Sequence, residues 1–184
     1  MRKLRNNYRF ARRGFTLTES LATIIILAII GSMASMIIVT AVDGYVDAAT
    51  EAQLHMEAST AMDRIVRELR KITLDSAAAG VAPDIDDVTP TSITLATGTQ
   101  ITLVGSKLQI ANAGPPLVDL LEDVTAFSVQ AYDESNGALA AELTGAECDP
   151  IRRLALDLTL QRAGATATLR TKLFIRTTMS GGGT

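Results

Sequence analysis

The clearest chemical feature of the chain is one carboxylate, Glu19, at the start of an uncharged run that covers residues 20–42. At the centre of a bilayer such a charge costs roughly 2.5–3.5 kcal/mol. A buried charge is tolerated only beside a partner that neutralises it. The sequence therefore predicts that Glu19 pairs with a cation.

The remaining titratable residues do not form a catalytic set. The single histidine, His55, has only Glu51 and Glu57 nearby, and this is a weak ligand set for a metal, so we interpret His55 as solvated or interfacial. The single cysteine, Cys148, cannot form an intramolecular disulfide. We interpret it as a partly buried thiol, with an intermolecular bridge as the alternative. No nucleophile elbow, phosphate loop or Cys-His pair is present, so we predict no enzymatic activity and no cofactor.

Three carboxylates close together, Asp84, Asp86 and Asp87, are the only calcium candidates. Calcium takes several oxygen ligands, but the spacing of an EF-hand loop is absent here. Short acidic loops are usually solvated, so no metal is expected.

The segment before Glu19 predicts a membrane orientation. Residues 1–14 contain no acid and six basic residues, which are Arg2, Lys3, Arg5, Arg9, Arg12 and Arg13. Positive charge resists translocation, so this end is expected in the cytoplasm. As a helix, residues 20–42 would be about 35 Å long, which is enough to cross a hydrocarbon core of about 30 Å.

Three interpretations of this arrangement compete. The first is a plain signal anchor. The second is a secretory signal peptide with residues 21–30 as its apolar region and Ser32-Met33-Ala34 as its cleavage site, which gives a mature start at Ser35. The third is cleavage between Gly14 and Phe15, which leaves the apolar helix at the new N-terminus.

The stretch Gly14-Phe15-Thr16-Leu17-Thr18-Glu19 resembles the processing site of type IV prepilins and type II secretion pseudopilins. The resemblance implies that a prepilin peptidase cuts after Gly14 and that Phe15 becomes N-methylated. It also implies that Glu19 pairs with the amine of Phe15 or of a neighbouring subunit during assembly. An aliphatic residue is commoner than threonine at the position of Thr18.

Apolar periodicity predicts an α+β architecture. A period near 3.6 continues through Leu54 to Ile72, so we predict one helix from about Phe15 to about Asp75. The period then changes to two, which predicts an antiparallel sheet of about six strands. These strands lie near residues 93–95, 101–103, 108–110, 124–132, 154–160 and 166–176, with loops at 77–90 and 133–149. The predicted organisation is a basic leader (1–14), a transmembrane and assembly half of the helix (15–42), an amphipathic half (43–75), a sheet domain (76–178) and a flexible tail (179–184).

The order of these elements resembles the J-type minor pseudopilins and the related W-type minor pilins. This implies a low-copy subunit that initiates or caps a filament, with the prepilin peptidase, other pilins and an inner-membrane assembly platform as partners. Without its leader the chain keeps 11 basic against 20 acidic residues, a formal net charge of −9, which argues against nucleic acid as the main partner. Two alternatives stay open, namely a major filament-forming pilin and an exported binding domain behind a conventional signal peptide or anchor.

Overall fold

The computed structural model describes residues 16–76, 78, 80–114 and 116–176. Predictions about Gly14, Phe15, the leader (1–14) and the tail (179–184) lie outside these residues. The chain comprises two units, Met1–Val46 and Asp47–Thr184.

One helix, α1 (Leu17–Leu69), contains 53 residues and contributes to both units. It ends earlier than the predicted Asp75 because the backbone beyond it pairs with another segment. The N–H of Asp75 donates to the carbonyl of Ala82, and the N–H of Asp84 donates to the carbonyl of Thr73, both at 3.0 Å. This pairing takes the backbone groups that a longer helix would have used.

Among the described residues, nine strands follow the helix. In chain order they are β1 (Ile85–Thr89), β2 (Ser92–Leu95), β3 (Gln100–Val104), β4 (Lys107–Ala111), β5 (Val118–Leu121), β6 (Val124–Tyr132), β7 (Leu143–Thr144), β8 (Arg153–Arg162) and β9 (Ala165–Phe174). A short 3₁₀ helix, Gly145–Cys148, follows β7. All strand pairs are antiparallel, and they form a six-stranded sheet in the order β5-β4-β3-β2-β1-β7 and a three-stranded sheet in the order β6-β8-β9.

The predicted α+β class, with a long N-terminal helix and a six-stranded antiparallel sheet, is confirmed. The strands are distributed differently, because β6, β8 and β9 form a sheet of their own. The prediction of a loop over residues 77–90 is wrong at β1. There Ile85 and Val88 are both buried although three positions separate them, since a bulge between Ile85 and Asp87 adds the residue that breaks the period of two.

Two further strands lie where no strand was predicted. β7 has only two residues, within the predicted connection 133–149, and β5 has four. Runs this short give little periodic signal.

The core of the second unit is one hydrophobic cluster to which α1 and both sheets contribute. The predicted apolar stripe is buried, since its members are at most 3% exposed: Leu54, Ala58, Ala61, Ile65 and Leu69 on α1, and Ile72 just beyond its end. Alternate residues of β8 are fully buried, namely Leu154, Leu156, Leu158 and Leu160. Burial of large apolar side chains on one helix face and alternate strand positions holds this unit together.

Candidate functional site

The most unusual surface of the molecule lies on α1 within the first unit. Its large apolar side chains are between 51% and 88% exposed, including Ile24, Ile26 and Met36. Soluble monomers rarely expose a continuous apolar surface of this extent. α1 also contains an 18-residue window with mean hydropathy 2.6 and no buried residue, so by length and composition this helix fits a single-pass membrane anchor.

Four hydroxyl side chains within this apolar surface bond to the helix itself. The hydroxyls of Thr23 and Ser32 donate to the carbonyls three residues earlier, each at 2.8 Å. Those of Ser20 and Thr40 donate to the carbonyls four residues earlier, at 3.3 and 3.0 Å. Because lipid offers no hydrogen-bond partner, this back-bonding makes the polar residues compatible with an apolar environment.

The first turn of α1 is organised by Thr16. Its carbonyl accepts hydrogen bonds from the N–H groups of Glu19 and Ser20, both at 3.0 Å. Its Oγ1 lies 3.3 Å from the N–H of Glu19, as a capping hydroxyl does, and 3.1 Å from the Oγ1 of Thr18. Thr16 therefore fixes where the helix begins and holds Glu19 in its first turn.

The carboxylate of Glu19 is exposed in that turn. None of the ion pairs among residues 16–76, 78, 80–114 and 116–176 includes it. The helix dipole favours a negative charge there, at typically 0.3–1 kcal/mol on an exposed surface. Within the described residues the dipole of its own helix thus stabilises the negative charge of Glu19, but no cation pairs with it.

His55 and its acidic neighbours do not form a metal site. Its Nε2 lies 3.9 Å from Glu51 Oε1, and both side chains are about half exposed. Glu57 turns to other partners: Gln53 Nε2 donates to its Oε1 at 2.7 Å, and Arg162 donates to both of its carboxylate oxygens at 3.3 and 3.0 Å.

Arg162 joins α1 to the three-stranded sheet, and sequence reasoning did not identify it. Its Nε donates to Asp123 Oδ2 at 2.7 Å, in addition to its two bonds to Glu57. The hydrogen bonds from Arg162 to Glu57 have the largest effect on this carboxylate, and that from Gln53 has the next largest. Together they hold the pKa of Glu57 below its usual value. The partners of Arg162 are 39 and 105 residues away in sequence, so no local pattern could have indicated them.

Cys148 is fully buried. Burial raises the pKa of the thiol to about 11. Nearby carboxylates add to this effect, and the contribution of Asp87 is the largest among them. The thiolate needed for exchange is scarce at neutral pH, and an intermolecular bridge would require local opening of the fold.

The acidic segment at β1 does not converge on one point. Asp84 Oδ2 accepts a hydrogen bond from Thr73 Oγ1 at 3.1 Å, Asp86 is exposed, and Asp87 pairs with Thr94 and Thr144 in the ladder. In the described part of the chain, no group of three or more His, Cys, Asp or Glu is arranged to hold a metal ion.

A wide groove of about 1090 Å³ lies between α1 and β5. Its lining includes Arg64 and Arg67 on the helix, and Asp119 and Glu122 on the opposite side, and it includes neither histidine nor cysteine. Lys107 bonds to both of those carboxylates, at 2.6 and 2.8 Å, and this raises its pKa. The groove resembles a charged protein surface more than an enzyme pocket, which is typically apolar with a few polar groups.

Comparison with known proteins identifies one family feature. A family model described as the prokaryotic N-terminal methylation motif matches residues 9–35. The matched segment contains Gly14, Phe15 and Glu19, and it includes the first part of the exposed apolar helix. No curated protein matches the sequence. The motif supports a relationship to the type IV pilin-like proteins, which are structural and not enzymatic.

Proposed function

We propose that this chain is a prepilin-processed subunit of a pilus-like filament. One observation carries the proposal: a methylation motif at residues 9–35 runs directly into a helix whose apolar side chains are exposed. Such a surface needs lipid before assembly and other helices after it, because residues 16–46, the described part of its unit, bury none of these large apolar side chains.

The proposed mechanism is non-covalent assembly after one proteolytic step. The basic leader keeps the N-terminus in the cytoplasm, and the peptidase cuts between Gly14 and Phe15. The new amine of Phe15 is methylated and stays positively charged. Glu19 then pairs with that amine or with the amine of a neighbouring subunit. An exposed carboxylate without a cation of its own in the described chain supports this role.

Within this class we propose a minor subunit that initiates or caps the filament, as in the J-type pseudopilins and W-type minor pilins. Supporting features are the order of helix, meander and terminal hairpin and the presence of one cysteine, which leaves no internal disulfide. The proposed location is the inner membrane, with the sheet domain outside the cytoplasm and with other pilins and an assembly platform as partners.

The direct test is the intact mass of the mature protein, purified from membranes of cells that express a prepilin peptidase. We expect the mass of a chain that begins at N-methylated Phe15. The matched variant Gly14→Val should keep the mass of the precursor, because the added side chain blocks the peptidase. A mature chain that starts at Ser35, or normal cleavage of Gly14→Val, would contradict the proposal.

A second measurement separates a minor from a major subunit. We expect the purified mature protein to form no filaments by itself and to be recruited when other pilins are present. Electron microscopy of the protein alone would show filaments if it were a major pilin.

A further inference from the structure

The outer face of the three-stranded sheet is positively charged, in a chain that is otherwise acidic. Alternate residues of β6, β8 and β9 point away from the core, and among them lie three cations and one carboxylate: Arg153, Arg170, Lys172 and Asp157. Without its leader the whole chain has 20 acidic and 11 basic residues. We call these four residues together with Tyr132 and Phe174 the outer patch.

Two cations of the outer patch are held in place by aromatic rings. The guanidinium of Arg153 lies 4.9 Å from the ring centroid of Phe174, and its Nη1 donates to Asn136 Oδ1 at 2.6 Å. The ammonium of Lys172 lies 5.5 Å from the ring centroid of Tyr132. These cation–π contacts keep both charges over the three-stranded sheet, and Lys172 has to leave its ring to reach a strand added at the other side of β9.

Arg170 keeps donors free for a partner. It bonds to Asp157 through Nε, and its side chain is 73% exposed. A guanidinium has five N–H groups, so most of them are available to another carboxylate. Phe174 is 47% exposed and adds apolar area beside the charges. Arginine and aromatic residues are the types that dominate binding energy at protein interfaces.

The outer patch borders a sheet edge that is unpaired within the described residues. β9 is the last strand of its sheet and pairs with β8 along all ten of its residues. Within the described residues, no strand pairs with its other side. An edge of this length is a template for an added strand.

The charges on β9 determine which kind of strand can pair with its edge. Two copies of β9 side by side in antiparallel register would bring Arg170 and Lys172 of one near those of the other, and like charges in cross-strand positions are destabilising. An extended segment with acidic residues at alternate positions places its carboxylates about 6.6 Å apart, since a strand rises about 3.3 Å per residue. That spacing matches the alternate positions of Arg170 and Lys172 on the exposed face.

We propose that the free edge of β9 binds an extended acidic segment of another protein as a fourth strand, with its carboxylates on Arg170 and Lys172. A polypeptide fits better than a nucleic acid, because the edge offers main-chain N–H and C=O groups that pair with another strand. The inference does not rest on the proposed filament role, since all its contacts lie in residues 132–174.

The test uses the full chain in detergent micelles and a dye-labelled peptide, Glu-Val-Glu-Val-Glu-Val-Glu, monitored by fluorescence anisotropy at low salt. We expect the Gln counterpart of the peptide to bind about tenfold more weakly. Lys172→Glu and, as a milder change, Arg170→Gln should each weaken binding of the Glu peptide by a similar factor. The matched control is Arg64→Glu, an exposed arginine on α1, which should leave affinity within about twofold.

Three outcomes would overturn the proposal. Equal loss in Arg64→Glu would show non-specific charge attraction. Tighter binding of a thymidine oligonucleotide of equal charge would show a nucleic-acid surface instead. A variant that ends at Arg176 and binds the peptide about tenfold more tightly would show that residues 177–184 occupy the edge themselves.

Hydrogen exchange tests the binding mode independently. Addition of the peptide should slow the exchange of β9 backbone amides, since strand addition gives them new acceptors. Binding without this protection would contradict strand addition.

Discussion

The two parts of α1 present their apolar side chains in opposite ways. Over residues 17–46 those side chains are more than half exposed, whereas six residues between 54 and 69 lie in the core. The secondary structure is the same, so the difference lies in where the partners come from. The second part packs on the sheets of its own unit, whereas within the described residues the large apolar side chains of the first part are exposed.

The largest expected effect contrasts a buried residue with an exposed one. Leu158→Ala should lower the free energy of unfolding of the second unit by about 2–5 kcal/mol, because it leaves a cavity in a fully buried site. Ile26→Ala, on the exposed helix, should leave that free energy unchanged within about 0.5 kcal/mol. Urea unfolding of both variants in detergent measures the difference, and similar losses in the two would remove the contrast.

The next effect concerns Glu19, which belongs to the exposed part. Glu19→Val should reduce recruitment into filaments about tenfold, equivalent to about 1.4 kcal/mol, because the partner amine loses its counter-charge. Cleavage at Gly14 and the melting temperature of the sheet domain should not change. Co-purification with other pilins measures recruitment, with Thr18→Val as the matched control in the same turn. Wild-type recruitment of Glu19→Val would disprove the role of this carboxylate.

A smaller effect is expected at the ion pair that holds the second part of α1 to the three-stranded sheet. The pKa of Glu57 is lowered in the folded state, so its contribution to stability is complete above its unfolded pKa, about 4.5, and is lost as pH falls through the folded value. Arg162→Met should lower the melting temperature less than Leu158→Ala does, and should flatten the decline of stability below about pH 4.5. Thermal scans across this pH range measure it. If the melting temperature of Arg162→Met falls with pH below about 4.5 as steeply as that of the wild type, the pair between Glu57 and Arg162 does not contribute to stability.

The smallest effect is expected at Cys148. Its folded pKa of about 11 exceeds the usual 9.0, so the contribution of this thiol to stability should be complete below about pH 9 and be lost as pH rises towards 11. Cys148→Ser should not show the fall that is due to this thiol. Labelling of the native protein with a thiol reagent at pH 8 should be slow compared with labelling in urea, and fast native labelling would contradict the burial.

Sequence reasoning succeeded where the periodic signal was long. The helix stripe from Leu54 to Ile72 and the alternation along β8 both extend over many residues. It failed at β1, where a bulge breaks the period of two and acidic residues, which are uncommon in strands, interrupt the pattern.

The residues of the candidate site also differ in whether local sequence or only the fold indicates them. Glu19 was proposed from its position at the edge of an uncharged run, which is local information, and its role stays a prediction. Arg162 and the outer patch were missed because their residues meet only through the fold: Arg153 faces Phe174 across a ladder, and Arg162 bonds to residues far away in sequence. Strand register brings such residues together, and register cannot be obtained from the spacing of types along one segment.

The hydroxyls that donate to carbonyls of the first part of α1 affect how easily this helix can move from lipid into a bundle of helices. Ser20, Thr23, Ser32 and Thr40 already use their donors within the helix. A helix of this kind can leave lipid tails for a bundle of apolar helices without breaking or making those hydrogen bonds. In the proposed assembly these four hydroxyls therefore add little to the barrier for transfer, and side-chain packing and the charge of Glu19 decide whether the helix stays in lipid or joins the bundle.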